Sequence, residues 1–261
     1  MAVAITIAGS DPSGGAGLQA DLKTFAAHGV YGLSVTTAVT VQSTVGVGHV
    51  HPLAADLVSA QLETLAGDFA IDAVKLGMLA NDAIVEAVAA AIVSLDLPKV
   101  IVDPVMLSSS GARLLDADGV STLERELLPH AFVVTPNVPE AERLARSTIR
   151  SLSDVKRAAE AIHRLRPHAV LIKGGHLEGN EAIDVLFDGD EMREFRAPRI
   201  AGAAAHGTGC AFSAALAASL ALGHSLVDSV DRAKQYVTGA LEHRLTLGQG
   251  AALLNHFWAL Y

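Results

Sequence analysis

The stretch VAITIAGSDPSGGAGLQADLKTFAAH, residues 3–28, contains the unit that decides the fold of this 261-residue chain. Residues 3–8 are apolar and largely β-branched, and they predict a buried first strand rather than a signal peptide. Residues 9–17 are rich in Gly, Ser, Asp and Pro, which favour a tight loop, and residues 17–28 predict a helix. A strand, a short loop and a helix in this order are typical of α/β proteins with a parallel sheet.

The same alternation continues along the chain. Further strands are predicted at residues 34–40, 72–76, 99–103, 131–135 and 169–173, and an antiparallel hairpin at 183–187 and 192–195 around Asp188-Gly189-Asp190. Helices are predicted from Pro52 onward, at 83–95 behind the N-cap residue Asn81, at 120–128, 154–165 and 211–222, and from 226 to 261 with a break at 248–250. We therefore expect one α/β domain over residues 1–261, with helices on both faces of a mostly parallel sheet.

The composition excludes several classes of protein. The chain is 51% hydrophobic but only 4% aromatic, carries a formal net charge of −9 and has no run of Lys and Arg, so we expect no nucleic-acid partner. Its single cysteine excludes an internal disulfide and fits a reducing cytosol, so we expect a cytoplasmic protein. The stretch 201–222 is uncharged unless His206 is protonated, but its small residues and His-Gly-Thr-Gly break predict a buried helix and no membrane span.

Polar or glycine-rich clusters follow nearly every predicted strand. In open α/β sheets, ligands bind outside the carboxyl ends of the strands, so clusters on this one edge predict a shared site. The clusters lie at residues 9–17, 40–43, 75–79, 103–106, 135–140 and 173–176.

The segment His206-Gly207-Thr208-Gly209-Cys210 lies where a loop becomes the helix predicted at 211–222. Glycines at a helix start leave backbone N–H groups free to bind an anion, which the helix dipole also favours. The same position is expected to lower the pKa of the Cys210 thiol, which makes it a candidate base or nucleophile. Free cysteines are also among the most buried residues, so a structural Cys210 is an equally good interpretation of this segment alone.

The absence of other motifs narrows the chemistry. The sequence has no Gly-x-x-x-x-Gly-Lys-Ser/Thr P-loop, no Gly-x-Gly-x-x-Gly after the first strand and no Gly-x-Ser-x-Gly elbow. His49 and His51 lack a third ligand nearby and are interpreted as part of an ordinary loop. The remaining features are a Gly-Thr-Gly helix start and three strand-end charges, Asp103, Glu140 and Lys173. Phosphoryl transfer uses these groups to hold phosphate and Mg²⁺, although each charge alone also fits a turn or a solvated surface.

Seven segments carry a resemblance to a known family: residues 8–23, 41–44, 75–79, 103–106, 135–141, 171–176 and 206–210. In this order they resemble the bacterial hydroxymethylpyrimidine/phosphomethylpyrimidine kinases of thiamine biosynthesis, which belong to the ribokinase-like superfamily. The resemblance covers nearly the whole chain, and its first and last motifs together are highly specific.

The resemblance implies ATP- and Mg²⁺-dependent phosphorylation of 4-amino-5-hydroxymethyl-2-methylpyrimidine, and then of its monophosphate, by a homodimer. Gln42 would contact the ring through its amide, which can both donate and accept a hydrogen bond. The other implied pyrimidine-binding residues are Gly9, Ala16, Asp21, Met78 and Val105. The implied phosphate-binding residues are Lys173, Gly207, Thr208, Gly209 and the Cys210 amide. Asp103, Asn137 and Glu140 would organise Mg²⁺ and its waters, and Cys210 would deprotonate the substrate hydroxyl.

Two departures from the family pattern keep alternatives open. Ala205 and Ala211 stand where the family often has threonine, so fewer hydroxyls surround the phosphate region. A weakly catalytic pyrimidine-binding sensor is therefore one alternative, although Lys173, Glu140 and Cys210 favour an enzyme. Pyridoxal kinase-type activity is the other, because some relatives phosphorylate that similarly sized hydroxymethyl ring.

Overall fold

A nine-stranded sheet organises the protein, whose computed structural model describes residues 1–108, 111–175, 179–200 and 205–260. Its strands are β1 (Val3–Ser10), β2 (Tyr31–Ser43), β3 (Gly46–Pro52), β4 (Ala73–Leu76), β5 (Val100–Val102), β6 (Val133–Val134), β7 (Ala169–Ile172), β8 (Glu181–Phe187) and β9 (Met192–Pro198). Their spatial order is β3-β2-β1-β4-β5-β6-β7-β8-β9. The β2–β3, β7–β8 and β8–β9 pairs are antiparallel and the others parallel, which confirms the mostly parallel sheet and the predicted hairpin.

Helices cover both faces of this sheet, as predicted. They are α1 (Gly17–Ala27), α2 (Ala55–Asp68), α3 (Asp82–Ser94), α4 (Ala117–Thr122), α5 (Val138–Ala145), α6 (Leu152–His163), α7 (Thr208–Ala221) and α8 (Leu226–Glu242). One apolar cluster joins one face of the sheet to α2–α6, and a second joins the other face to α1, α7 and α8. The chain therefore builds a three-layer α/β fold.

Helix α7 is buried on nearly all sides. Every residue from Ala211 to Leu220 is buried, and most of them are alanine or serine. Small side chains let this helix lie close to α1, α8 and the strands β1, β4 and β5. This close packing fixes the first turn of α7 at the carboxyl edge of the sheet. The prediction of a buried helix here is confirmed, although residues 201–204 lie outside the described residues.

Two helix predictions in the first half of the chain needed correction at their boundaries, and one further helix was missed. Helix α2 begins at Ala55 and not at Pro52, because Pro52 still pairs with β2 as the last residue of β3. His49 and His51 therefore lie on an edge strand and not in a loop. The helix predicted at 120–128 begins at Ala117 and continues through wider and tighter turns to His130. Helix α5, at 138–145, was not predicted.

The predicted helix from 226 to 261 ends at Glu242. Beyond it, β11 (Ala252–Leu253) pairs in parallel with β10 (Ala205–His206), outside the main sheet. Residues 248–251 pack on the tip of the β2–β3 hairpin, where Ala251 N donates to Thr44 O at 2.9 Å. These backbone hydrogen bonds to distant segments replace the helical ones and explain why the local pattern misled.

Within the described segments, no helix combines the length and the apolar character that a membrane crossing requires.

Candidate active site

One cavity of about 1000 Å³ lies at the carboxyl edge of the sheet, where the strand-end clusters meet. Of the predicted site residues, all but Asp21 line it: Gly9, Ala16, Gln42, Met78, Asp103, Val105, Asn137, Glu140, Lys173, Gly207, Thr208, Gly209 and Cys210. The pyrimidine end predicted from the early strands and the phosphate end predicted from α7 therefore share one space. His176 of the sixth motif lies outside the described residues.

The start of α7 forms a tightly packed turn against the first glycine loop. Gly207 is the N-cap residue with φ of 83°, and a Cβ there would lie 1.8 Å from Gly15 O. A Cβ on Gly209 would lie 3.2 Å from Lys173 Nζ, so the lysine ammonium is close to the first-turn amides. Positive φ and close backbone contact require glycine at 207. The first-turn N–H groups and the lysine together make a cradle that could hold an anion, and anion binding here stays a prediction.

Lys173 is held by an ion pair at the floor of the cradle. Its Nζ lies 2.8 Å from Asp103 Oδ1, and Ser213 Oγ donates to Asp103 Oδ2 at 3.1 Å. Burial opposes the ammonium charge, but Asp103 and Glu140 outweigh it and raise the pKa of Lys173. The lysine is therefore a cation whose side chain keeps 13% of its surface exposed in the cavity wall. It can meet a phosphate without losing its carboxylate partner.

Glu140 sits at the start of α5 in a capping box with Asn137. Its Oε2 accepts from Asn137 N at 2.9 Å, and Asn137 Oδ1 accepts from Glu140 N at 3.0 Å. Burial and, in addition, the charge of Asp103 raise the pKa of Glu140 to about 7, although Lys173 acts in the opposite direction. The capping box explains how α5 fixes this carboxylate, a helix-start signal present in the sequence as Asn-x-x-Glu.

The acidic groups of the cavity fit Mg²⁺ only as a partly hydrated ion. Two buried carboxylates, Asp103 and Glu140, act on one another as like charges. The described residues hold no group of three or more His, Cys, Asp or Glu side chains arranged for a metal. Mg²⁺ commonly binds through one or two carboxylates while keeping waters and substrate phosphates as further ligands. The donor set therefore fits a magnesium ion that arrives with the nucleotide.

Cys210 lies in the first turn of α7, half-buried in the cavity wall. The expectation that the helix start lowers its thiol pKa is wrong. Burial raises the pKa of Cys210 to about 11, and the negative charges of Asp21 and Asp103 add to this, against the opposing effect of Lys75. Cys210 is therefore a neutral thiol in the resting protein, because the unfavourable desolvation of a thiolate is larger here than its stabilisation by the helix dipole.

Behind Cys210 lies an ion pair that the sequence analysis missed. Lys75 Nζ and Asp21 Oδ2 are 2.8 Å apart, both side chains are 0% exposed, and Thr6 Oγ1 donates to the same Asp21 oxygen at 2.6 Å. Lys75 lines the cavity, whereas Asp21 lies behind it. A ring contact by Asp21 therefore stays a prediction. The available signal was a lysine inside the apolar strand β4.

A second network ties the first loop to α7. Asp11 Oδ2 lies 2.9 Å from His206 Nε2 and accepts from Ala16 N at 2.9 Å, while Asp11 Oδ1 accepts from the backbone and hydroxyl of Ser13. Gln42 Nε2 lies 2.8 Å from His206 Nε2. Neither Asp11 nor His206 was assigned a role from the sequence. The chemistry is nevertheless visible in the sequence, because both residues belong to the first and last motifs.

Comparisons with known proteins agree with this geometry. The family described as phosphomethylpyrimidine kinase matches residues 11–255. A hydroxymethylpyrimidine/phosphomethylpyrimidine kinase of Rhizobium meliloti is 48% identical over 259 residues, covering 98% of this chain and 97% of that protein. A thiamine biosynthesis bifunctional protein of Geobacter sulfurreducens is 44% identical over 98% of this chain, which spans about half the length of that relative, 52%.

Solved structures show the same fold. The ADP complex of Bacillus subtilis pyridoxal kinase has a TM-score of 0.92 and 36% identity, covering 100% of this chain and 99% of that one. A phosphomethylpyrimidine kinase from Clostridium difficile has a TM-score of 0.83 and 40% identity, covering 92% and 100%. The sheet is ribokinase-like, and the family resemblance of the motifs is confirmed over nearly the whole length. This chain therefore belongs to the phosphomethylpyrimidine kinase family.

Proposed function

We propose that the protein transfers the γ-phosphoryl group of ATP to the hydroxymethyl group of 4-amino-5-hydroxymethyl-2-methylpyrimidine, and then phosphorylates the resulting monophosphate to the diphosphate. The observation that carries this proposal is the shared cavity, in which Gln42 and Met78 face the same space as Lys173 and the α7 amides. Family membership at 48% identity with a named kinase of both pyrimidines supports the same conclusion.

The nucleotide end of the reaction is assigned to the cradle at α7. The first-turn amides and the Lys173 ammonium would neutralise charge on the transferring phosphoryl group, where such fixed donors have their largest catalytic effect. Asp103 and Glu140 would hold Mg²⁺ directly or through water. Held there, the ion would supply positive charge that offsets the negative charge of the phosphate groups. Asn137 would remain the cap that fixes Glu140.

The acceptor end is assigned to Cys210. In the proposed step the substrate hydroxyl oxygen forms a bond to the γ-phosphorus, the bond to the ADP oxygen breaks, and the hydroxyl proton passes to the Cys210 thiolate. A pKa of about 11 leaves little thiolate at neutral pH. Phosphoryl transfer through a loose transition state tolerates this, because little charge develops on the attacking oxygen before the proton leaves.

The glycines of the first loop pack closely on neighbouring elements. In the structure a Cβ on Gly15 would lie 2.6 Å from the His206 ring, and one on Gly14 would lie 2.8 Å from Lys23 Nζ. These glycines therefore let the loop pack on α7 and on α1. Room for the monophosphate would come from the cavity volume itself.

An ADP-release assay tests the proposal directly. The purified chain is supplied with ATP, Mg²⁺ and either the free pyrimidine or its monophosphate. We expect ADP from both, with the diphosphate appearing in the second reaction. ADP from neither substrate contradicts the kinase assignment. Binding of the pyrimidine by calorimetry without any ADP would instead support the sensor suggested by Ala205 and Ala211.

Pyridoxal kinase-type activity is a second candidate because one observation favours it. The fold matches a pyridoxal kinase with a TM-score of 0.92, above the 0.83 for a phosphomethylpyrimidine kinase. Measuring kcat/KM for pyridoxal and for the pyrimidine on the same preparation separates the two. A larger value for pyridoxal would reverse the assignment. That the chain acts as one domain, as a homodimer and in the cytoplasm stays a prediction.

A further inference from the structure

The contact between Gln42 and His206, as oriented in the structure, places two hydrogen-bond donors opposite each other. Gln42 Nε2 lies 2.8 Å from His206 Nε2, and the same histidine nitrogen lies 2.9 Å from Asp11 Oδ2. A carboxylate only accepts, so His206 Nε2 must carry hydrogen to bond Asp11. That nitrogen then has no lone pair in the ring plane for an N–H of Gln42. Two donors would face each other across 2.8 Å.

Asp11 is firmly an acceptor in this network. Besides His206, it takes hydrogen bonds from Ser13 N and Ser13 Oγ on one oxygen and from Ala16 N on the other, at 2.8–2.9 Å. Burial acts to raise the pKa of Asp11, but the hydrogen bonds from His206 and Ser13 outweigh it and hold the pKa below its usual value. The proton between Asp11 and His206 therefore belongs to the histidine.

A second, independent conflict lies on the other side of the Gln42 amide. Thr40 Oγ1 lies 2.9 Å from Ser10 O and 3.2 Å from Gln42 Oε1. Both partners are acceptors in this orientation, but a hydroxyl has only one hydrogen to donate. If Thr40 donates to Ser10 O, the remaining lone pairs of Oγ1 need a donor from Gln42.

One change removes both conflicts. The oxygen and nitrogen of a glutamine amide occupy nearly the same positions after a half-turn, so the hydrogen-bond network decides which is which. With Gln42 Oε1 toward His206, the single Nε2–H of His206 can donate to both Asp11 Oδ2 and Gln42 Oε1 in a shared hydrogen bond. With NH₂ on the other side, one N–H donates to Thr40 and the other is left for the cavity.

We propose that His206, anchored by Asp11, fixes the Gln42 amide with its oxygen toward the histidine and its NH₂ toward Thr40 and the substrate, so that Gln42 offers the ring a donor and no acceptor. This rests on the proposed function and deepens it. A ring bound here presents an acceptor, such as a ring nitrogen, to Gln42. The exocyclic amino group of the pyrimidine points elsewhere. His206 is a positioning residue that acts on the substrate through Gln42.

NMR of the ligand-free protein tests the orientation without any reference to activity. Long-range ¹H–¹⁵N correlation of the histidine rings, with His206→Gln to assign the signal, should show Nε2 of His206 as a protonated nitrogen. A deprotonated Nε2 would overturn the proposal. This result does not depend on turnover, so it stands apart from failure of the kinase assignment.

Paired variants test the consequence for substrate binding. His206→Gln keeps an N–H where Nε2 lies, whereas His206→Leu removes the donor with similar bulk. We expect His206→Leu to raise KM for the pyrimidine by about tenfold, more than it lowers kcat, and His206→Gln to recover most of the loss. Equal KM values in the two variants would refute the positioning role.

A change at Gln42 reads the orientation from the substrate side. Gln42→Glu keeps an acceptor for His206 but places carboxylate oxygen where the proposal puts the N–H for the ring. We expect KM to rise by tenfold or more. An unchanged KM would mean that the ring had met the amide oxygen, and the proposal would be wrong. ADP release by the wild-type chain in the same assay shows that the kinase assignment itself holds.

Discussion

Two lysine–aspartate pairs flank Cys210, and they differ in what can reach them. Lys75–Asp21 and Lys173–Asp103 have the same 2.8 Å separation. Lys75 lies within β4 and Lys173 directly follows β7, two strands of the same sheet. Lys75 and Asp21 are 0% exposed, while the Lys173 side chain keeps 13% of its surface open at the cavity. We call Lys75–Asp21 the sealed pair, because neither side chain has exposed surface, and Lys173–Asp103 the open pair, because its lysine is accessible from the cavity.

This difference in exposure suggests that Lys75–Asp21 contributes to stability and that Lys173–Asp103 contributes to catalysis. A buried pair whose partners are fully desolvated has little to gain from a ligand, and its loss leaves an uncompensated charge in the core. Among the described residues, Asp21 Oδ1 has no hydrogen-bond partner, so this carboxylate depends on Lys75. Lys173 instead contacts Asp103 on one side and lies next to Gly209 at the cavity on the other, where a ligand could reach its ammonium group. We therefore expect the two lysines to respond in opposite ways to substitution.

Removing the thiol between the pairs should have the largest effect on rate. Cys210→Ala is expected to lower kcat by about two to four orders of magnitude, the usual contribution of a general base. Pyrimidine binding, measured by calorimetry, should be retained. Cys210→Ser is the matched control for size and polarity, because its hydroxyl is a far weaker acid than a thiol and should not replace the thiolate as proton acceptor. Equal kcat in wild type and Cys210→Ala would remove Cys210 from the mechanism.

Replacing the sealed lysine should act on folding. Lys75→Met leaves Asp21 buried without its partner, and we expect the free energy of unfolding to fall by about 3–5 kcal/mol, measured by urea denaturation. The double variant Lys75→Met/Asp21→Leu removes both charges and should recover most of that loss. If the double variant is as unstable as the single one, the uncompensated charge is not the cause.

Replacing the open lysine should act on rate. Lys173→Met is expected to lower kcat by about two to three orders of magnitude, as for loss of one fixed donor to a transition-state charge. Its loss of stability should be smaller than that of Lys75→Met, because Asp103 keeps Ser213 as a donor and lines the cavity. A urea midpoint as low as that of Lys75→Met would show that the pairs do not differ as described.

The open pair could be predicted from the sequence, and the sealed pair could not. Lys173 and Asp103 each end a strand, and strand ends converge at one edge of a parallel sheet, so their meeting follows from topology. Lys75 lies within the four buried residues of β4, where its partner is 54 positions away on a helix. A sequence pattern shows that such a lysine needs a partner but does not say which face or helix supplies it.

The same reasoning explains the other successes and errors. The helix start at Gly207 follows from local sequence and was predicted, whereas the contact of His206 with Asp11 spans 195 positions. The segment after Glu242 was misassigned because its hydrogen bonds go to distant backbone. Strand β3 instead pairs with its sequence neighbour β2, in a hairpin that was not recognised from the sequence. The pKa of Cys210 was predicted in the wrong direction because burial is set by packing, which overrides the local dipole.

The rate at which the Cys210 thiol is alkylated should distinguish Lys75 from Lys173, and this is the smallest of the expected effects. Cys210 is the only cysteine, so mass spectrometry reports its alkylation by iodoacetamide without ambiguity. With the pKa raised to about 11, the thiolate fraction and hence the rate should rise about tenfold per pH unit from pH 7 to 10.

Lys75 is the charge that most favours the thiolate, so Lys75→Met should raise the pKa of Cys210 further and slow alkylation at a given pH. Lys173→Met should slow it less, because Lys173 chiefly interacts with Asp103 and Glu140. The comparison is made under conditions where both variants are folded. A rate that levels off near pH 9 would contradict the raised pKa of Cys210, and a larger effect from Lys173→Met would contradict the view that Lys75 is the charge that most favours the thiolate.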